Sequence, residues 1–296
     1  MILDYDYFKD SFNSKLFEDS YCDLLCKIAD NPERYIGLFR PTKPKTKLIQ
    51  NITQSHEIRF GDALEFIIER YFEATGFILH EKRFRTNDGT ELSIDQLFSK
   101  GDKLYMIEQK VRDDHDSTKK VGQFDNFENK YFALTQRYND CEIIPIMWFI
   151  DDSLVKNKKY YQERMDSMAK DYNCEPKLFY GNSMFLEIED FDEEIWDEML
   201  DHLEKWKDTL PDMPEINFDS NAETVFEEIK DLKPCIYRKL LNNNEVLKQI
   251  FPIIFPEGKV LQLLCDYFLS KREPIYNTLG ELLMIRKSYT NMLLFA

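Results

Sequence analysis

Asp95, Glu108 and Lys110 are the residues of this sequence whose types and spacing could do chemistry. Two close carboxylates repel one another unless positive charge stands between them. A hard divalent cation meets that need. Mg²⁺ is commonly held by one or two carboxylates, with waters and a phosphate oxygen completing its shell. Such an ion polarises a phosphate and lowers the pKa of water. An amine one strand repeat from Glu108 can orient the attacking hydroxide or stabilise a pentavalent phosphorus transition state. The carbonyl of Gln109 is placed to add a metal ligand. The chemistry that fits is hydrolysis of a phosphodiester by in-line attack of water. The bland alternative is a surface salt-bridge cluster on a hairpin.

The elements around these residues must bring them together. Residues 91–98 alternate as a strand, Ser99-Lys100-Gly101-Asp102 turns the chain, and residues 103–111 read as the returning strand. This hairpin puts Asp95 late on its first strand and Glu108 and Lys110 late on its second. Period-two alternation points Glu108 and Lys110 to one face. Asn87-Asp88-Gly89-Thr90 reads as the turn before it. Upstream, residues 56–75 form an amphipathic helix that buries Phe60, Leu64, Ile67, Ile68, Tyr71 and Phe72 and ends at Gly76. Phe77-Ile78-Leu79 begins a short strand. Downstream, Asp116 or Ser117 caps a helix running to about Tyr138, with Val121, Phe124, Phe127, Tyr131 and Leu134 on its apolar face. Residues 142–150 are almost wholly apolar, as in a strand buried on both faces. A helix to about residue 172, a strand at 177–180 and an acidic helix at 185–207 follow.

Residues 11–30 also read as a helix, on Leu16, Phe17, Tyr21, Leu24, Leu25 and Ile28. Residues 40–47 are basic and broken by Pro41 and Pro44, as in a loop that is either a connector or an arm touching phosphates. The expected organisation is an α/β core at 56–208. A helical N-terminal segment with the basic loop precedes it at 1–55. A linker at 209–221 leads to a helical region at 222–296 broken by Pro252, Pro256 and Pro274.

Composition bounds the classes. Among 296 residues 43% are hydrophobic, enough for a packed core and against global disorder. The first residues lack the basic and apolar regions of a signal peptide, and the apolar runs are too short for a bilayer. Cys22, Cys26, Cys141, Cys174, Cys235 and Cys265 lack zinc-site spacing and read as reduced, mostly buried thiols of a cytoplasmic protein. The net charge of −16 argues against a general nucleic-acid coat. The surplus is local: residues 151–250 carry −12 and residues 1–150 only −5, so charge nearly balances around the carboxylates. The acidic stretch at 187–204 and the bases Lys156, Lys158 and Lys159 read as solvated faces. No GxGxxG, phosphate-binding loop, HExxH or GxSxG occurs, which removes the common nucleotide-binding and hydrolase alternatives.

Asp95 followed by Glu108-Gln109-Lys110, on a hairpin after a helix carrying Glu65, resembles the PD-(D/E)xK nuclease superfamily. Type II restriction endonucleases are its best-known members. The order helix, strands, helix, strand over residues 56–150 is that of the superfamily's common core. The naming proline is absent, since Ile94 precedes Asp95. The resemblance implies a restriction-endonuclease-like α/β core, a mixed sheet flanked by helices, with helical N- and C-terminal additions. It also implies Mg²⁺ as cofactor, with Asp95, Glu108 and Gln109 as ligands and Glu65 as an extra acid near the metal, its plain alternative being a helix-surface acid.

The polar segment after the second strand suits DNA. Arg112, Lys119 and Lys120 fit phosphate or guanine, Gln123 and Asn126 adenine edges, and Asp113 or Asp114 cytosine, with His115 among them. The helix N-terminus there can also hold a phosphate. Turn, cap and solvated roles are the alternatives for Asp113, Asp114, Asp116, Gln123 and Asn126. The resemblance implies double-stranded DNA as substrate, a homodimer reading a symmetric site, a paired DNA methyltransferase and no membrane. The competing expectations are a nuclease of the same fold in repair or phage defence, and a non-catalytic acidic interaction protein.

Overall fold

A computed structural model describes residues 1–18, 20–86, 89–138 and 141–293. The first two residues of the turn expected at Asn87-Asp88-Gly89-Thr90 lie outside them. In chain order the elements are α1 (Tyr5–Leu16), α2 (Ser20–Asp30), α3 (Glu33–Ile36), α4 (Pro44–Ala74), β1 (Ile78–Leu79), β2 (Arg83–Arg85), β3 (Glu91–Ser93), β4 (Gln96–Lys100), β5 (Lys103–Lys110) and α5 (Ser117–Arg137). They continue with β6 (Glu142–Phe149), α6 (Lys158–Tyr172), β7 (Lys177–Tyr180), α7 (Ser183–Glu187) and α8 (Glu194–Lys207). A 3₁₀ turn at Phe218–Asn221 leads to α9 (Ala222–Ile229), α10 (Pro234–Leu241), α11 (Asn244–Gln249), α12 (Phe251–Ile254), α13 (Lys259–Ser270) and α14 (Pro274–Leu293). No helix among the described residues is long and apolar enough to cross a membrane.

Contacts group these elements into two compact units: residues 1–16 with 60–210, and residues 17–59 with 211–296. The segments expected at 1–55, 56–208, 209–221 and 222–296 are therefore combined differently by tertiary packing. Residues 1–16 join the α/β unit because Phe8, Phe12 and Leu16, spaced four apart along α1, bury one side of that helix. The Phe12 ring meets Trp206 edge-on at 4.7 Å and Phe60 at 5.4 Å between centroids.

The α/β unit is built on a mixed sheet in the order β1-β4-β5-β6-β7. β4 pairs antiparallel with β1 and β5, and β6 pairs parallel with β5 and β7. β2 and β3 form a separate antiparallel ribbon. Both sheet faces are covered, which explains the apolar run at 142–150. Phe98, Tyr105, Ile107, Ile146 and Trp148 join the core lined by Leu64, Ile67, Tyr71 and Phe72 of α4 and Ile195 and Met199 of α8. Leu97, Leu104, Met106, Met147 and Phe149 join the core lined by Phe124, Phe127 and Leu134 of α5 and Met165 and Met168 of α6. Alternation along β5 thus assigns even-numbered residues to the α5 side.

Several expected boundaries move. The helix expected over 11–30 is two helices, α1 and α2. The strand expected over 91–98 is interrupted at Ile94 and Asp95. The acidic helix expected over 185–207 is α7 and α8, with 188–193 between them. The basic stretch 40–47 is a loop only to Lys43, since Pro44 starts α4, where a missing N–H costs nothing. Leu48 and Ile52, one turn apart, bury the added part of that helix.

In the helical unit, Leu24, Leu25, Ile28, Tyr35, Leu48, Phe218, Val225, Leu240, Ile250, Leu264 and Phe268 share one core. The linker expected over 209–221 ends before Phe218. Asp219 is buried, and its carboxylate accepts from the backbone N–H groups of Glu257, Gly258 and Val260 at 2.7–2.9 Å. All six cysteines are free, but only Cys265 is fully buried and Cys141 and Cys235 are exposed. This corrects the expectation of mostly buried thiols.

If α1 is part of the α/β core, Phe12→Ala opens a cavity there and lowers unfolding free energy by roughly 3–5 kcal/mol. Denaturant titration checks this, and a loss under about 1 kcal/mol rules out the packing role.

Candidate active site

β4 and β5 pair in a register that couples Gln96 with Ile107 and Lys100 with Lys103. Asp95 stands one residue before that ladder, so it is not late on a strand as expected but at the bend where β4 begins. The consequence for position is the expected one. Its Oδ2 accepts from the backbone N–H of Gln109 at 3.0 Å and from Lys110 Nζ at 2.8 Å.

The Lys110 ammonium binds three oxygens at once: Asp95 Oδ2 and Glu108 Oε1, each at 2.8 Å, and the Gln109 carbonyl at 3.0 Å. Burial works against the charge on Lys110, but Glu108 and Asp95 outweigh it, and its pKa is raised. Lys110 is therefore a cation and hydrogen-bond donor at neutral pH. Glu108 is buried, with its side chain 5% exposed, and its second oxygen Oε2 accepts from Lys130 Nζ at 2.5 Å.

Sequence reasoning missed Lys130. It lies on α5 and is as buried as Glu108. The signal was present: Lys130 is three residues after Phe127 and next to Tyr131, inside the apolar stripe of its helix. A lysine in that stripe needs a buried partner. Gln96 was missed too. Its Nε2 donates to the Glu65 carbonyl at 2.8 Å and to Gln109 Oε1 at 3.2 Å, tying α4 to both strands.

Glu65 flanks the buried stripe of α4. Its carboxyl is pushed up from 4.5 to about 8, first by burial and then by the charge of Asp95, with Lys82 and Lys110 pulling the other way. Lys82 Nζ lies 3.9 Å from Glu65 Oε2 and also pairs with Glu69.

The oxygens that meet at the Lys110 ammonium are the donors expected to hold a metal. Among the described residues no three His, Cys, Asp or Glu side chains are grouped to bind an ion. Two carboxylates and a backbone carbonyl nevertheless fit Mg²⁺, a hard cation that keeps several waters of its own. One ammonium already reaches all three oxygens, so they converge on a single point of positive charge.

The segment after β5 leaves from the carboxyl end of a strand paired in parallel with β6, the usual site of ligands in open α/β sheets. Arg112, Lys119 and Asn126 are exposed, and Asp114 is exposed beside half-buried His115. Lys120 is half-buried, with its Nζ 4.6 Å from the Tyr160 ring centroid. Gln123 is half-buried, and its Oε1 accepts from Tyr161 at 2.8 Å. Asp116 caps α5, accepting from Thr118 and Lys119 N–H groups.

Asp113 is a correction. It is fully buried, and its oxygens accept from the backbone and side chain of Asn157 at 2.7 and 2.8 Å and from Tyr180 at 3.0 Å. It clamps the segment after β5 to the one after β6 and has no surface for a base.

Residues 78–207 match the family model described as type II restriction endonuclease, HinfI. The match begins at β1 and ends at α8, so it includes the whole main sheet with Asp95, Glu108, Lys110 and Lys130. It leaves out α4 and Glu65. No curated protein and no solved structure gives a significant match. The α/β unit is restriction-endonuclease-like in fold, and the match supports nuclease chemistry on DNA.

The raised pKa of Glu65 has a consequence for stability. The folded protein holds this proton more tightly than the unfolded chain. The stabilisation is complete below the ordinary value of 4.5 and is lost as pH rises towards about 8. Glu65→Gln therefore gains stability over the parent as pH rises through that window. Melting temperatures measured in chelator across it should diverge, and a gap independent of pH removes the electrostatic explanation.

Proposed function

We propose that this protein is an Mg²⁺-dependent endonuclease that hydrolyses phosphodiester bonds of double-stranded DNA at a specific site, in the manner of type II restriction enzymes. One observation carries this reading: Asp95, Glu108 and the Gln109 carbonyl turn three oxygens to one point, now neutralised by Lys110. The match of residues 78–207 to a restriction endonuclease family supports it. Bound at those oxygens, Mg²⁺ supplies Lewis-acid polarisation of the scissile phosphate and eases deprotonation of the attacking water.

The chain's own residues do the rest. Lys110 keeps its proton; with those three oxygens taken by a metal ion, its N–H groups would be released to the phosphoryl oxygens where charge builds, the arrangement that lowers such barriers most. Lys130 is a positioning residue. It holds Glu108 Oε2 and so turns Oε1 towards the reacting centre. Glu65 keeps its proton near neutral pH and adds no third negative charge until positive charge arrives. Water attacks phosphorus in line, and the opposite P–O bond breaks. Exposed Arg112 and Lys119 are assigned to phosphates and Asn126 to a base edge, with His115, Lys120 and Gln123 at the border of that surface. A homodimer on a symmetric site, a cytoplasmic location and a companion methyltransferase belong to the same proposal.

The test is incubation of the purified chain with unmethylated phage DNA and Mg²⁺. Discrete bands are expected, and chelation of the metal should abolish them. Glu108→Ala and Lys110→Ala should each slow cleavage by at least ~100-fold. Intact DNA in every digest, or cleavage by Glu108→Ala at the parent rate, sinks the proposal.

Lys130→Met keeps the length of the side chain and removes the charge. It should reduce cleavage by roughly 10–100-fold and weaken metal binding measured by calorimetry, as loss of an outer-shell partner does. A folded Lys130→Met protein with unaltered rate and metal affinity would falsify the positioning role.

A further inference from the structure

Residues 34–56 contain Arg34, Arg40, Lys43, Lys45 and Lys47 and no acid, in a chain whose net charge is −16. Within this run the loop between α3 and α4 carries the most exposed large apolar side chains among the described residues of the helical unit. Leu38 is 90% exposed and Phe39 98%. A lone exposed apolar residue needs no explanation, but two adjacent ones at a turn, inside the most basic stretch of an acidic chain, do.

The loop is built to hold them out. Its ends are anchored in the core of the helical unit by Tyr35 and Leu48, 1% and 0% exposed. Gly37 turns the chain so tightly that a Cβ there would come within 2.5 Å of the Glu33 carbonyl oxygen. Pro41 and Pro44 restrict the backbone on the far side. Arg40, Lys43 and Lys45 are exposed, and among the described residues none of them is held in an ion pair. Two adjacent exposed apolar side chains flanked by free cations match what proteins insert between base pairs: an apolar wedge with basic side chains beside it for the phosphates.

We propose that Leu38 and Phe39 form a wedge that enters stacked duplex DNA and kinks it, with Arg40, Lys43 and Lys45 on the neighbouring phosphates. The inference rests on DNA being the partner, as proposed above, and adds a second contact surface and a distortion of the substrate. The size of the patch favours a base step over a protein. Two side chains fill the gap opened between adjacent base pairs, whereas a stable protein interface needs about 800 Å² from each partner.

The experiment uses short duplexes carrying 2-aminopurine at successive positions, mixed with the full chain in chelator so that nothing is cut. The duplex contains the sequence cleaved in the digestion assay, or mixed sequence if nothing is cleaved. The parent protein should raise the fluorescence severalfold at one base step. Phe39→Ala should abolish that rise and weaken binding by roughly ten-fold with an unchanged circular dichroism spectrum. Phe39→Trp should retain both. Replacing Lys43 and Lys45 together by Gln should lower the slope of log affinity against log salt by about 2.

A parent protein that cuts DNA but gives no fluorescence rise overturns the wedge and leaves the nuclease reading intact. A rise lost in Phe39→Ala, from a protein that cuts nothing, upholds the wedge and removes the nuclease reading. A protein that neither binds nor cuts removes both. If Phe39→Ala changes the oligomeric state and leaves the fluorescence rise in place, the patch meets a second copy of the chain and the wedge is overturned.

Discussion

The carboxylate of Glu108 lies between two ammonium groups, Lys110 on one oxygen and Lys130 on the other. A buried carboxylate without a partner would protonate or unfold its surroundings. With one partner removed, such a site loses roughly 3–5 kcal/mol, because the remaining charge is left uncompensated. The position of β5 against α5 therefore depends on this contact, and so does the direction of Glu108 Oε1. The apolar packing of both faces of the sheet holds the strands. The ion pairs decide which oxygen of Glu108 faces Lys110 and which faces Lys130.

The same arrangement balances charge among the chain's own residues. Asp95 acts on Glu65 of α4 and shares Lys110 with Glu108 of β5. Lys110 neutralises Asp95 and Glu108 directly, and Glu65 relieves the rest by holding its proton to about pH 8. In the proposed reaction a metal ion would take over the work of Lys110 and free it for the phosphate. Like-charge repulsion kept in balance by an ammonium leaves these carboxylates attractive to a cation. Asp113 plays a quieter part. By binding Asn157 and Tyr180 it fixes where the chain goes after β5, and hence where Arg112 and the first turn of α5 stand.

Much of this was legible in the order of residues. The alternation of 103–110 and the turn at Ser99-Lys100-Gly101-Asp102 located the hairpin, and with it the meeting of Asp95, Glu108 and Lys110. The strands β6 and β7 and the cap at Asp116 follow from equally local rules. Asp113 was misread because an aspartate in a polar run looks solvated, and only the distant Asn157 and Tyr180 show that it is buried. Lys130 was passed over for the converse reason. Its neighbours Phe127 and Tyr131 mark it as inward-facing, but its partner lies on another element, 22 residues away. The start of α4 was hidden by Pro44 and by three lysines that read as loop.

The sequence by itself determined which side chains share a strand face, where the chain turns and which groups can carry charge, because these depend on neighbours a few residues apart. Tertiary structure alone decided that α1 belongs to the α/β unit, that residues 17–59 pack with 211–296, and that Glu108 is gripped from both sides. Those outcomes rest on burial. Burial depends on which distant surfaces exclude water together, and no local pattern of residues contains that information.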